Sequence, residues 1–127
     1  VFSYNLAGVA HYFVRGKDTL AAGAHTIVYD FKYDGPGLGK GGVGTIQVDG
    51  KTVATSRIER TLAFRLSVDE TLDCGEDTGT PVSEDYHVPF KFTGELKKVV
   101  VNLKPEQLSV GDKAKLKEAE VTHAAAN

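Results

Sequence analysis

Seven of the chain's 17 carboxylates crowd into one short stretch: Asp69, Glu70, Asp73, Glu76, Asp77, Glu84 and Asp85. Hard cations collect oxygen ligands of this kind, and Ca²⁺ takes about six to eight of them. Asp73, Glu76, Asp77 and Asp85 are the residues such an ion would use. The spacing matches no EF-hand loop, and charge runs of this sort are commonly solvated surface. The competing reading for Asp77–Tyr86 is turn chemistry, with Thr78, Thr80 and Ser83 capping backbone amides.

Other patterns promise chemistry and fail on inspection. Gly37-Leu38-Gly39-Lys40-Gly41-Gly42 satisfies GxGxxG. That fingerprint works only where a helix N-terminus follows and its free amides hold a pyrophosphate; here a strand is expected to follow. A Walker A reading fails because Gly41 stands where Ser or Thr would ligate Mg²⁺. The segment is expected to be a flexible hairpin loop. The histidines, at 11, 25, 87 and 123, show no paired metal spacing, and His25 is expected in or beside the core. Ser83, His87 and Asp77 spell a triad, but no strand–turn–helix elbow surrounds Ser83. Cys74 stands alone, which excludes an intrachain disulfide and a cysteine-rich zinc site. For sugar binding the candidates are aromatic platforms. There is no Trp, and Tyr29, Phe31 and Tyr33 read as core, which leaves Tyr4, Tyr12 and Tyr86.

Positioning any of these side chains falls to a small framework. The 127 residues suit one domain with one core. A net charge of −2 and a pI near 6.1 supply no basic stripe for nucleic acid. Apolar runs such as Val99–Val101 are far short of the ~20 residues needed to span a bilayer, so no membrane partner is expected. A single cysteine and the lack of a basic, then apolar, leader lean toward the cytosol. The sequence contains no methionine, from which the chain is expected to be a piece of a longer protein.

Alternation with period two dominates. From His25 to Tyr33, Ile27, Tyr29, Phe31 and Tyr33 share one face, while Thr26, Val28, Asp30 and Lys32 share the other. Thr61–Val68 and Glu95–Leu103 show the same habit, and apolar residues on both faces predict a central strand for Glu95–Leu103. Asp49-Gly50 between Thr45–Val48 and Lys51–Ser56 predicts a two-residue hairpin, because both residues tolerate positive φ. A second hairpin is expected from Val1–Leu6 and His11–Arg15 around Ala7–Ala10. Ser109 and Asp112 predict the cap of a short helix, with Val110, Ala114, Lys117 and Val121 along one side and a frayed end over Thr122–Asn127. The fold class is all-β: an antiparallel sandwich over residues 1–103, then an extension over 104–127 carrying the helix.

Four blocks form an ordered series: Arg57-Ile58-Glu59-Arg60-Thr61, Ser67-Val68-Asp69-Glu70-Thr71, Asp77 through Tyr86, and Pro89-Phe90-Lys91-Phe92-Thr93-Gly94. His25–Tyr33, Gly37–Gly42 and Val48–Lys51 fit the same series. Together they resemble the C-terminal region of large bacterial arylsulfatases, from about Val1 to Leu103. The resemblance implies a concanavalin-like or jelly-roll β-sandwich appended to a sulfatase catalytic domain, with front strands preceding the equivalent of Val1. It implies no catalytic residue here. Sulfatases make their formylglycine nucleophile from a Cys or Ser followed by Pro two residues on and Arg four residues on. Cys74 is followed by Gly75, Glu76, Asp77 and Thr78, and no Ser lies two residues before any Pro.

The expected role is therefore a non-catalytic accessory domain that packs, assembles or shapes substrate access. Its partner would be a sulfatase catalytic domain or, through an uncovered sheet edge, another copy of itself. The alternative is a carbohydrate-binding module. An independent hydrolase is the weakest of the three.

Overall fold

The computed structural model describes residues 1–63, 72–106 and 108–126. Most regular structure is antiparallel β, followed by one C-terminal helix. The chain forms two compact units, one of Val1–Arg65 with Gln107–Asn127 and the other of Leu66–Glu106. A single sandwich core over 1–103 was the expectation, so the division falls inside the segment expected to be continuous.

The first unit opens with the predicted hairpin, β1 (Phe2–Leu6) against β2 (Ala10–Val14), in the register Phe2↔Val14 and Tyr4↔Tyr12. Its loop closes because the Asn5 carboxamide accepts the Gly8 N–H at 2.7 Å, and the Leu6 carbonyl accepts the Val9 N–H at 2.8 Å. Three strands follow in spatial order: β3 (Ile27–Tyr33), β4 (Lys40–Val48) and β5 (Lys51–Arg60). Asp49 and Gly50 turn β4 into β5 with φ of 51° and 82°, the left-handed pair that the Asp-Gly signal predicts.

The apolar face of β3 follows its alternation from Tyr29 onward, whereas Ile27, at the strand's start, is exposed. Tyr29, Phe31 and Tyr33 are half-buried, while Val28, Asp30 and Lys32 are exposed. The hairpin lies on that face. Phe2 stacks on Tyr29 with centroids 3.6 Å apart, and Val14, with no exposed surface, reaches the sheet over Gly44. Val14, Ile46 and Ile58 are the buried apolar residues of this small core.

Here the glycine cluster departs from the loop expectation. Gly41, Gly42 and Gly44 are buried strand residues of β4. Glycine is a poor strand former in isolation, so the reason lies across the sheet. A Cβ on Gly42 would stand 2.6 Å from the Phe31 ring, and one on Gly44 would stand 2.6 Å from the Tyr29 hydroxyl. The Tyr29 and Phe31 rings each lean diagonally over a β4 residue that has no side chain, which is how aromatic neighbours support glycine in sheets. Residues 34–39 alone form the loop.

Other expectations also changed. Glu95–Leu103 is not a strand. Leu96, Val99, Val101 and Leu103 are 50 to 89 % exposed, and among the described residues no chain pairs with them. Alternation makes a strand only where a neighbouring ladder satisfies the backbone. Thr61–Ala63 lie beyond β5, and the rest of the expected Thr61–Val68 strand falls outside the described residues. The helix, α1 (Val110–Ala126), is longer than expected and includes Thr122. Its Val110–Val121 stripe does not pack: Val110 is 87 % and Val121 63 % exposed. Ser109 does cap it, with the Asp112 N–H donating to the Ser109 hydroxyl (3.1 Å) and the Ser109 N–H donating to the Asp112 carboxylate (3.1 Å). Among the described residues no helix is long and apolar enough to cross a membrane.

The second unit holds β6 (Glu76–Asp77) paired with β7 (Phe90–Lys91), extended by a Phe92 N–H donating to the Gly75 carbonyl at 2.8 Å.

Candidate functional site

Asp77 organises the second unit. One carboxylate oxygen accepts the Tyr86 hydroxyl in a short bond, and the other accepts the Gly79 N–H at 3.3 Å. The same Tyr86 oxygen accepts the Val82 N–H at 2.9 Å, so the phenol bridges two points of the loop. Its ring meets Phe90 edge-on at 5.4 Å. Burial, then the hydrogen bond to Asp77, pushes the phenol above its ordinary pKa. Ser83, the buried polar residue of this stretch, accepts the Asp85 N–H at 3.3 Å. Asp73 accepts both the N–H and the hydroxyl of Thr78, at 3.2 and 3.4 Å.

These bonds make the Asp77–Tyr86 block a loop closed by its own side chains. Ser83 caps a backbone amide as expected, whereas Thr78 acts as a donor to Asp73. The proposed cation ligands are spread through this lattice: Asp73 and Asp77 hold loop groups, and Glu76 stands across from Lys91 in the β6–β7 register. Among the described residues, no group of three or more His, Cys, Asp or Glu side chains is placed to hold a metal ion. Nor is the Ser83–His87–Asp77 relay assembled, since Asp77 is engaged by Tyr86 and Gly79 and Ser83 by Asp85. Cys74 is exposed beside a shallow open groove formed with Phe92, Gly94 and Leu96.

Of the three candidate sugar platforms, Tyr4 and Tyr12 are brought together in the first unit. They face each other across the hairpin with ring centroids 6.4 Å apart, on the strand face shared with Phe2 and Val14. Both are half-buried, and the Tyr4 hydroxyl accepts the Leu62 N–H at 2.9 Å. Tyr86 is committed to its loop. None of the three stands as an open aromatic shelf.

The most elaborate polar cluster was missed in the sequence. Asp49, in the β4–β5 turn, accepts the Thr26 N–H at 2.9 Å through one oxygen and meets His25 Nδ1 at 2.7 Å through the other. His25 Nε2 stands 2.8 Å from the Ala21 carbonyl. Both ring nitrogens therefore face acceptors, an arrangement only the doubly protonated imidazolium satisfies. The Asp49 bond, then the Ala21 carbonyl, raises the His25 pKa above 6.5, and His25 lowers that of Asp49 below 3.8. His25 thus lies at the end of the sheet, not in the core. The Asp-Gly signal could have flagged this carboxylate, since Asp at such turns commonly bonds nearby backbone. At the opposite end, Arg57 bonds Asp34 at 2.6 Å and Glu59 at 3.2 Å, holding the Asp34 carboxyl below the usual range. Tyr33 closes the intervening loop, donating to the Gly37 carbonyl at 2.5 Å and accepting the Lys40 N–H at 3.0 Å.

Among the described residues, the polar groups of these clusters bind the chain to itself. Comparison with protein-family models, with curated proteins and with solved structures finds no match for this chain.

Proposed function

We propose that the chain is a non-catalytic accessory β domain of an arylsulfatase-type enzyme, serving to pack against the catalytic domain and shape access to the sulfate ester. The parentage rests on the resemblance of the blocks from Arg57 to Gly94. The observation that carries the packing role is the exposed apolar segment of the second unit. Phe90, Phe92, Leu96, Val99, Val100, Val101 and Leu103 are each 49 to 89 % exposed. Apolar surface concentrated in this way marks a face that another protein surface covers.

The test mixes this chain with a separately produced arylsulfatase catalytic domain and follows amide exchange. Slowed exchange across residues 96–103 on mixing is the expected result; unchanged exchange with no heat of binding would refute the packing role. Incubation of the chain alone with an aryl sulfate should release no phenol above blank. The carbohydrate-binding alternative predicts heat on titration with plain or sulfated oligosaccharides at millimolar concentration, and its absence retires that reading.

A further inference from the structure

We infer that the outer edge of β3 is a self-recognition surface, on which a second copy of this chain pairs antiparallel about Phe31. Among the described residues β3 has one hydrogen-bonded neighbour, β4. The inference goes beyond the accessory role and does not depend on the sulfatase resemblance.

The register identifies which backbone groups point away from β4. The Asp34 N–H donates to the Gly41 carbonyl at 3.0 Å, and the Asp49 N–H donates to the Thr26 carbonyl at 2.9 Å. Both pairs continue the β3–β4 register, so even-numbered residues of β3 bond toward β4. In an antiparallel ladder the alternate residues point their N–H and C=O the other way. Tyr29, Phe31 and Tyr33 therefore present their backbone groups along the outer edge.

A two-fold axis at Phe31 brings Phe31 opposite its own copy and Tyr29 opposite Tyr33, all as hydrogen-bonded pairs. The intervening pairs are the close, non-hydrogen-bonded ones, about 4.5 Å between Cα atoms. They set Asp30 of each copy against Lys32 of the other. Both side chains are exposed on the solvent face of the sheet. Lysine on an edge usually deters pairing; here the register supplies each lysine with an opposite charge, and the deterrent becomes a match. Shifting the pairing by one residue would face side chains to the wrong side of the sheet, and a shift of two would break the charge match. The strand is thus complementary to itself in one register.

Charge reversal tests this with the full chain. Wild type should show a concentration-dependent dimer in sedimentation. Asp30→Lys and Lys32→Asp should each weaken it by about tenfold or more, since both cross-strand pairs turn from attraction to repulsion. The double variant D30K/K32D should dimerise as wild type does. The two single variants mixed together should form a heterodimer, because each then meets the opposite charge. Circular dichroism of each variant verifies the sheet, and the mixing result itself requires folded partners. A monomeric wild type at the highest attainable concentration overturns the inference. So does a dimer indifferent to the single reversals, or single variants that do not combine on mixing.

Discussion

Replacing Gly44 with alanine probes the packing of aromatic rings on bare backbone. The new Cβ would stand 2.6 Å from the Tyr29 hydroxyl oxygen, 3.0 Å from Tyr29 Cε2 and 3.0 Å from Val14 Cγ2. Carbon atoms in contact prefer about 3.5–4.0 Å, so both neighbours must give by several tenths of an ångström. Val14 is fully buried and pinned between the hairpin and the sheet, which leaves Tyr29 to move, against the ring of Phe2 stacked on it. Overpacking of this kind costs about 1–3 kcal/mol. The stiffer unfolded chain offsets about 0.4–1 kcal/mol. The net destabilisation is about 1–2 kcal/mol, or a fall in Tm of roughly 5–10 °C for a domain of this size. Tyr29→Phe sharpens the test, because the Tyr29 hydroxyl is buried with no hydrogen-bond partner among the described residues. Its removal alone should be neutral or stabilising by up to about 1 kcal/mol. In the Gly44→Ala background it should recover more than that, because the closest contact goes with it. Thermal melts of the four chains in this double-mutant cycle read the coupling. An unchanged Tm for Gly44→Ala, or a Tyr29→Phe effect equal in both backgrounds, would refute the reasoning.

Three further outcomes are expected. The His25–Asp49 pair should stabilise the fold fully below pH 6.5, and its contribution should fade as pH rises through the raised His25 midpoint. On the acid side the contribution is fully present above 3.8 and is lost as pH falls from there through the lowered Asp49 value. Asp49→Asn should return the His25 NMR titration toward 6.5, and the wild-type minus variant Tm should shrink as pH rises above 6.5. Tyr86→Phe should speed hydrogen exchange at the Val82 amide, which loses the Tyr86 oxygen as an acceptor, while leaving the β3–β5 amides unchanged. Ser109→Ala should lower helical dichroism with little change in the Tm of the sheet, since α1 presents an exposed surface and depends on its own cap.

What could be read in the sequence was the local chemistry. Asp49-Gly50 announces its hairpin because few residue pairs accept left-handed φ in succession. Ser109 and Asp112 announce a helix start because they satisfy each other's amides. The alternation from Tyr29 to Tyr33 announces which face of β3 is covered, although it misplaces Ile27, which is exposed. What could not be read depended on partners distant in sequence. Gly42 and Gly44 look like a loop until the rings of Phe31 and Tyr29 are laid over them, and Gly41 until the Ile58 and Glu59 carbonyls are brought against it. Glu95–Leu103 looks like a strand until the lack of a described neighbour is seen. His25 reads as core from its place in an alternating run, whereas a carboxylate 24 residues away draws it to the sheet's end. Tyr4 and Tyr12 read as free aromatics because nothing local reveals that their strand face lies on a sheet.

The Asp49 carboxylate has a consequence for the order in which the sheet assembles. The β4–β5 hairpin is local and closes quickly. On closing, it projects a carboxylate that fits the Thr26 amide and the His25 ring, just ahead of the first residue of β3. The hairpin thus carries a docking tag for the strand that must join it, and β3 is expected to zip from Ile27 toward Tyr33. The aromatic end closes last.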